Sequence, residues 1–298
     1  MDLDFNRTVT PTCAVLLAAF NGERWLGEQI ETILEQQGVS VVVFISVDLS
    51  SDSTLSIAQA WAIKDDRIRL LPHGERYGSP GRNFFRLIKE VDTSIFDIVA
   101  FSDQDDLWFD FKLQRAWDYI ASGKCDVYSS DVLAFWSDGT ELLLKKSFQQ
   151  RRYDHFFEAA GPGCTYVFSA TVFKEVASFI RKSYAACNSI VLHDWLIYAF
   201  CREMKYRWLI DVIPTMFYRQ HLNNQMGANS NWFSYWRRIK NVSNQWYRVQ
   251  VTAIMELVAR DSIPIVMTRK FMLLNFRDLR RRPRDQVVFL LLVFFRLF

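Results

Sequence analysis

A run suited to burial, Ile98-Val99-Ala100-Phe101-Ser102, passes without a spacer into Asp103-Gln104-Asp105-Asp106. Three carboxylates within four residues repel one another, and an isolated buried charge is very costly. The cluster therefore belongs at the open end of a strand, where water or a cation can reach it. A hard divalent ion such as Mg²⁺ or Mn²⁺ resolves the repulsion, because it takes carboxylate oxygens and keeps positions for water and phosphate. The competing reading is a solvated acidic turn. The surrounding chain has to decide between them.

The run from Cys13 to Ala19 is short and nearly all apolar, as expected of a strand buried on both faces, and Phe20-Asn21-Gly22 breaks it. Leu26, Ile30, Ile33 and Leu34 then fall on one helical stripe, with Gly38 past its end. Val41 to Val47 reads as a second strand ending at Asp48. Ser50-Ser51-Asp52-Ser53 supplies N-cap candidates for a helix carrying Leu55, Ala58 and Trp61. A third strand is expected over 67–71, a glycine- and proline-rich loop over 74–81, and a helix beginning with Phe84, Phe85 and Ile88. After the acidic turn come a helix from about Lys112 to Ile120 and one strand from Asp126 to Phe135. Strands alternating with helices at this spacing predict βαβ units and an α/β fold with a mainly parallel sheet. Ligands of such sheets bind beyond the carboxyl ends of the strands, so Asn21, Asp48 and Asp103 should converge there. That convergence favours the metal–diphosphate site.

The composition excludes several classes. Half of the 298 residues are hydrophobic, so the chain is neither disordered nor fibrous. A net charge of +3 is too small to imply nucleic-acid binding by the whole chain. Five cysteines without CxxC spacing read as reduced, buried thiols of a cytosolic protein. An acidic N-terminus without an apolar h-region argues against a secretory signal, and no apolar run reaches ordinary spanning length. Neither GxxxxGK[ST] nor the dinucleotide glycine spacing is present, so a bound diphosphate must be neutralised by other means, and a carboxylate-held metal does so.

Six segments resemble the family 2 glycosyltransferases of the GT-A fold. They are Ala18-Ala19-Phe20-Asn21-Gly22-Glu23; Ser46-Val47-Asp48-Leu49-Ser50-Ser51-Asp52; Asp103-Gln104-Asp105-Asp106-Leu107-Trp108; Gly161-Pro162-Gly163-Cys164-Thr165; His193-Asp194-Trp195; and Tyr218-Arg219-Gln220-His221-Leu222-Asn223-Asn224. The last is similar to the bacterial rhamnosyltransferase-like branch, which assembles surface polysaccharides. The resemblance spans roughly Thr12 to Gly227. It implies a Rossmann-like, mainly parallel mixed sheet flanked by helices, with a C-terminal helical extension.

The resemblance also implies roles. Ala19, Phe20 and Glu23 would surround the nucleotide base, Asp48 would contact base or ribose, and Arg82 belongs to a loop near the nucleotide. Asp103 matches the first acid of the DxD motif, near ribose and metal, and Asp105 matches the acid that binds the metal. His221 would ligate the metal or touch the diphosphate, with Arg219 neutralising phosphate charge. Gly163, Cys164, Thr165 and Trp195 would lie around the acceptor. Asp194 matches the general base, and partial burial would raise its pKa towards useful values; the bland reading of the same residue is an N-cap. The second segment departs from the family, which has two adjacent acids followed by Gly where this chain has Val47, Asp48 and Leu49.

The C-terminal third interleaves Trp232, Trp236, Ile239, Trp246, Val249 and Leu257 with Arg237, Arg238, Lys240 and Arg248. It continues through a basic run, Arg269 to Arg284, to an apolar end over 287–298. Basic helices with tryptophan on the apolar side can lie on an anionic membrane. The alternative is a helical pair covering the sheet, with the arginines merely solvated. The expectation is a GT-A catalytic domain over 1–228 and a basic, membrane-associating helical region over 229–298. Such an enzyme is a metal-dependent (Mn or Mg) inverting glycosyltransferase, working in the cytoplasm on the inner face of the cell membrane. Its donor is a dTDP- or UDP-linked sugar, its acceptor a lipid-linked glycan, and nucleic acid is no partner. The alternatives are a metal-dependent nucleotidyltransferase and a catalytically silent membrane-surface binding protein of the same fold.

Overall fold

The computed structural model describes residues 10–221 and 245–298. The tryptophans and basic residues expected between 232 and 240, the segment Leu222-Asn223-Asn224 and the expected boundary at 228 lie outside the described residues. The first half alternates as the apolar runs demand: β1 (Thr12–Ala19), α1 (Leu26–Leu34), β2 (Ser40–Val47), α2 (Thr54–Lys64), β3 (Ile68–Leu70), α3 (Pro80–Glu90), β4 (Ile98–Ser102), β5 (Leu107–Trp108) and α4 (Lys112–Ala121). There follow β6 (Val127–Ser130), β7 (Val132–Phe135), β8 (Glu141–Leu144), α5 (Asp154–Phe157), β9 (Val167–Ser169), α6 (Ala170–Lys182), α7 (Tyr184–Cys187), α8 (His193–Glu203), β10 (Trp208–Asp211) and β11 (Met216–Arg219). The last helices are α9 (Trp246–Val258), α10 (Ile263–Val266), α11 (Arg269–Leu274), α12 (Phe276–Leu279) and α13 (Pro283–Phe294).

Seven strands form the main sheet in the order β10-β6-β9-β4-β1-β2-β3. All pairings are parallel except those of β9, which runs antiparallel to both β4 and β6. A second sheet has the order β5-β11-β7-β8. Residues of β1 alternate between two cores: Ala14, Leu16 and Ala18 face one, Cys13, Val15, Leu17 and Ala19 the other. Burial on both faces is what an unbroken apolar strand requires. Helix α3 covers the first core with Phe84, Phe85, Leu87 and Ile88, all fully buried, and each such side chain is worth about 1.5–3 kcal/mol. All five cysteines are buried and unpaired.

Two expectations are corrected. The single strand expected from Asp126 to Phe135 is two strands in different sheets, pivoting at Asp131. Its buried carboxylate accepts from the backbone N–H of Lys146 and Ser147 and from the Ser147 hydroxyl, which holds the chain in the turn. The C-terminal basic run is not uniformly solvated. Arg281 is buried against Asp154 (3.3 Å) and the Glu158 carboxylate (3.8 Å), and Arg280 donates to the Phe157 carbonyl and the Tyr247 hydroxyl. Met255, Met272, Leu279 and Phe289 join the first core, so the last helices and the sheet share one interior.

Candidate active site

The carboxyl ends of β1, β2 and β4 lie side by side, because Ala19 pairs with Val47 and Leu17 with Ser102. The residues just beyond them knit into one rim. Gln104 accepts from the N–H of Phe20 (2.7 Å) and donates to its carbonyl (2.8 Å). Asn21, in the left-handed region at φ 47°, accepts from Ser51 N–H (2.8 Å). Asn83 donates to the carbonyl of Ser46 (3.0 Å) and also bonds the Ser46 hydroxyl. Sequence reasoning missed Gln104. The available signal was a neutral amide among three acids, placed where a strand-end backbone needs both a donor and an acceptor.

Phe20 is 48 % exposed on this rim and can stack on a base. The other expected nucleotide contacts are engaged within the protein. The Asp48 carboxylate accepts from the N–H groups of Tyr77 (2.8 Å), Gly78 (2.7 Å) and Leu49 (2.8 Å), so it shapes the loop after β3. Glu23 accepts from Ser53 N–H (2.9 Å) while its own N–H donates to Asp52 (3.1 Å), a reciprocal clamp on the start of α2. Ser53 occupies the cap position there but makes no side-chain cap bond; Asp52 accepts from Thr54 instead. Ala19 is buried and its carbonyl accepts from Asp48 N–H (2.8 Å). Arg82 is exposed and donates to the Asn188 carbonyl (3.0 Å).

The three acids occupy different environments. Asp103 is pushed up to about 7, first by desolvation, then by the charges of Asp105 and Asp194. Asp105 pairs with His221, Oδ2 to Nε2 at 2.6 Å, and the imidazole stacks on Trp25 at 4.3 Å. Asp106 is buried, its carboxyl raised by desolvation and by Asp105. One of its oxygens accepts from Arg219 N–H (3.2 Å), and the other has no hydrogen-bond partner among the described residues. Arg219 braces this turn, donating to the Asp105 carbonyl (2.8 Å) and to Glu28 (2.6 Å). Beneath lies the fully buried Lys112, lowered to about 8 by desolvation, with Nζ donating to the Cys164 carbonyl (3.1 Å).

Carboxylate oxygens of Asp103 and Asp106 and Sγ of Cys164 lie within 4.8 Å of one another. Cys164 is fully buried and its thiol is raised far above the ordinary range by desolvation, so it stays protonated close beneath these acids. A protonated thiol is a poor ligand for a hard ion, and the oxygens that remain, with the His221 imidazole nearby, are the donor set Mg²⁺ or Mn²⁺ accepts. The residues fit a divalent ion. Cys164 and the equally buried Thr165, whose hydroxyl donates to the Pro162 carbonyl (2.8 Å), form the floor beneath the acid turn.

Asp194 enters from a different part of the chain. It lies in the first turn of α8, where the helix N-terminus favours a negative charge, and accepts from Trp195 N–H (2.8 Å). The cap position itself is Leu192, so the carboxylate is not an N-cap. Desolvation nevertheless pushes Asp194 up to about 6. Its neighbour His193 is buried, stacked on Phe84 at 4.0 Å and lowered to about 3 by desolvation, so no imidazolium offsets the carboxylate. Gly163 permits the approach: a Cβ there would stand 2.7 Å from His193 Nε2 and 3.2 Å from Asp194 Cβ. Trp195, expected around the acceptor, points into the protein. Its indole is buried, donating to the His155 carbonyl (3.0 Å) and stacking on Tyr247.

A family model described as Glycosyl transferase family 2 matches residues 14–177, more than half of the chain. The chain is 41 % identical, over 95 % of its own length and 100 % of the relative's, to the dTDP-rhamnosyl transferase RfbG of Shigella flexneri. Its fold matches that of residues 1–349 of S. aureus TarS, solved with UDP-GlcNAc, at a TM-score of 0.53 and 13 % identity, covering 93 % of this chain and 83 % of that one. It also matches the mannosyltransferase PcManGT of Pyrobaculum calidifontis, solved with GDP-Man and Mn²⁺, at a TM-score of 0.55 and 16 % identity, covering 96 % of this chain and 74 % of that one. These matches disfavour the nucleotidyltransferase and silent-binder alternatives. The acid turn beyond β4, the carboxylate at the start of α8 and the matching sequence together mean that this chain belongs to the family 2 glycosyltransferases, with the GT-A fold and glycosyl transfer as its reaction.

Proposed function

We propose that the enzyme moves a rhamnosyl group from dTDP-rhamnose to a hydroxyl of a lipid-linked surface glycan on the cytoplasmic side of the membrane, with inversion at the anomeric carbon. The full-length similarity to a dTDP-rhamnosyl transferase supports the donor. The observation that carries the chemistry is Asp194, close enough to Asp103 for each charge to be felt, yet held on a separate helix.

In this reading Phe20 stacks on the thymine and the loop braced by Asp48 borders the nucleoside. Asp103, Asp105 and His221 would hold Mn²⁺ or Mg²⁺, which when bound neutralises the diphosphate and stabilises it as leaving group. Asp194 takes the proton from the acceptor hydroxyl. The oxygen bonds to the anomeric carbon as the bond from that carbon to the diphosphate oxygen breaks, and the electron pair leaves with dTDP. A base with a pKa of about 6 is ionised at neutral pH yet more basic than an exposed carboxylate, which suits proton abstraction. Gly163 keeps the path to it open.

Calorimetric titration with dTDP, UDP and GDP, each with and without Mn²⁺, tests this. The expected result is metal-dependent binding strongest for dTDP and lost in Asp105→Asn. Metal-independent binding, or equal binding of all three nucleotides, overturns the donor assignment.

A further inference from the structure

From Val287 onward helix α13 is apolar on all sides, yet only one side is packed. Gln286, Phe289 and Val293 are buried. On the opposite stripe, at helical spacing, Val287, Val288, Leu291, Phe294 and Phe295 are exposed, the two phenylalanines at 56 % and 63 %. An all-apolar helix is normally enclosed. Twelve residues span about 18 Å, well short of a hydrocarbon core of about 30 Å. No helix among the described residues is long and apolar enough to cross a membrane.

A second observation lies at the carboxyl end of the same helix. A cavity of about 310 Å³ is lined by Arg248, Arg269 and Arg296 together with Met267, Met272 and Phe298. None of its lining side chains is acidic, and among the described residues none of the three arginines is in a side-chain ion pair, although Arg248 donates to a main-chain oxygen of Phe298 (3.4 Å). Arg269 donates to the carbonyls of Val293 (3.2 Å) and Phe294 (2.7 Å), tying the cavity to the end of α13. Arg296 follows the exposed Phe295 directly, in the left-handed conformation at φ 60°. Residues 263–298 hold eight lysines and arginines against two aspartates. With Arg280 and Arg281 turned inward, six of those basic groups remain for the surface.

We infer that α13 docks on an anionic bilayer, its Val287–Leu291–Phe295 stripe entering the headgroup boundary while the Arg248–Arg269–Arg296 cavity takes the phosphate of an anionic phospholipid. Apolar insertion and basic attraction reinforce each other at such an interface. The inference rests on the proposed lipid-linked acceptor only for its biological sense; none of the residues that carry it is one placed at the donor site.

The test is co-sedimentation of the full chain with vesicles of phosphatidylcholine alone and of equimolar phosphatidylcholine and phosphatidylglycerol. Stronger partition to the anionic vesicles is expected. Arg248→Gln with Arg296→Gln should lower that partition about thirtyfold, at roughly fivefold per basic group, and leave the weak binding to neutral vesicles unchanged. Leu291→Ser with Phe295→Ser should weaken binding to both. Should the double arginine variant fail to fold, the exposed Arg296→Gln alone should still cost about fivefold. Titration of each variant with dTDP and Mn²⁺ separates the two proposals, since a docking failure leaves nucleotide binding intact. Four results would overturn the inference: no vesicle binding by the unaltered chain, no dependence on phosphatidylglycerol, full displacement by inorganic phosphate, or a vesicle-free dimer that Phe295→Ser dissociates.

Discussion

Replacing Asp194 with Asn should lower turnover by orders of magnitude and at the same time stabilise the protein. Desolvation lifts this carboxyl from 3.8 to about 6, a shift near two units, so holding it ionised at neutral pH costs about 3 kcal/mol at 1.36 kcal/mol per unit. The folded state binds the extra proton between those two values, so the penalty is absent below about pH 4, grows as pH rises to about 6, and is constant above. Asparagine keeps an acceptor for Trp195 N–H without carrying the charge. Melting temperature should therefore rise by several degrees at neutral pH and hardly at all near pH 4. Removing a general base lowers turnover by about 10²–10⁴, while calorimetric affinity for dTDP with Mn²⁺ should hold. In the unaltered enzyme kcat/KM should climb with pH and level off above about 6. Turnover in the variant within about tenfold of the unaltered enzyme would refute the assignment as base. A melting gain of equal size at both pH values would refute the desolvation argument.

Gly163→Ala should lower kcat at least tenfold with little change in nucleotide affinity, because its methyl would collide with the His193 ring and the Asp194 side chain; steady-state kinetics beside calorimetry separates the two effects. Arg281→Met removes a guanidinium from the fully buried Asp154, which keeps Arg202 (2.9 Å) and the Tyr198 hydroxyl (2.9 Å); breaking such a pair costs about 3 kcal/mol, readable as a lower denaturation midpoint with an unchanged slope.

The strands and the helices between them were legible because their apolar residues satisfy burial locally, on both faces of a sheet or along one helical stripe. The acid turn was legible for the opposite reason: its charges are tolerable only at an opening. What the sequence hid depended on partners far along the chain. Nothing near Asp131 announces that its carboxylate will meet the backbone of 146–147. Arg280 and Arg281 read as members of a surface-basic run, yet Glu158 and Asp154, more than a hundred residues earlier, draw them inside. Trp195, next to Asp194, reads as an acceptor contact, whereas the helix turns the indole towards His155 and Tyr247.

Asp106 separates what the acid turn must do from what it must withstand. It caps no helix: α4 starts after Phe111, without a side-chain cap. It reaches instead into the protein, accepting from Arg219 N–H and so fastening β11 to the turn, with Cys164 and Lys112 below. A buried acid pressed by Asp105 and Asp103 favours its protonated form. Lys112, itself lowered by burial, supplies positive charge on the side away from solvent. Asp103 and Asp105 are thus held in place by a floor that relieves part of their repulsion, as the proposed cation site requires. Because that floor and the rim are fixed by different strands from the helix bearing Asp194, the proposed leaving-group side and the proposed base side should be separately perturbable. A site in which one acid cluster served both ends would not allow Asp194→Asn to spare nucleotide binding while removing transfer.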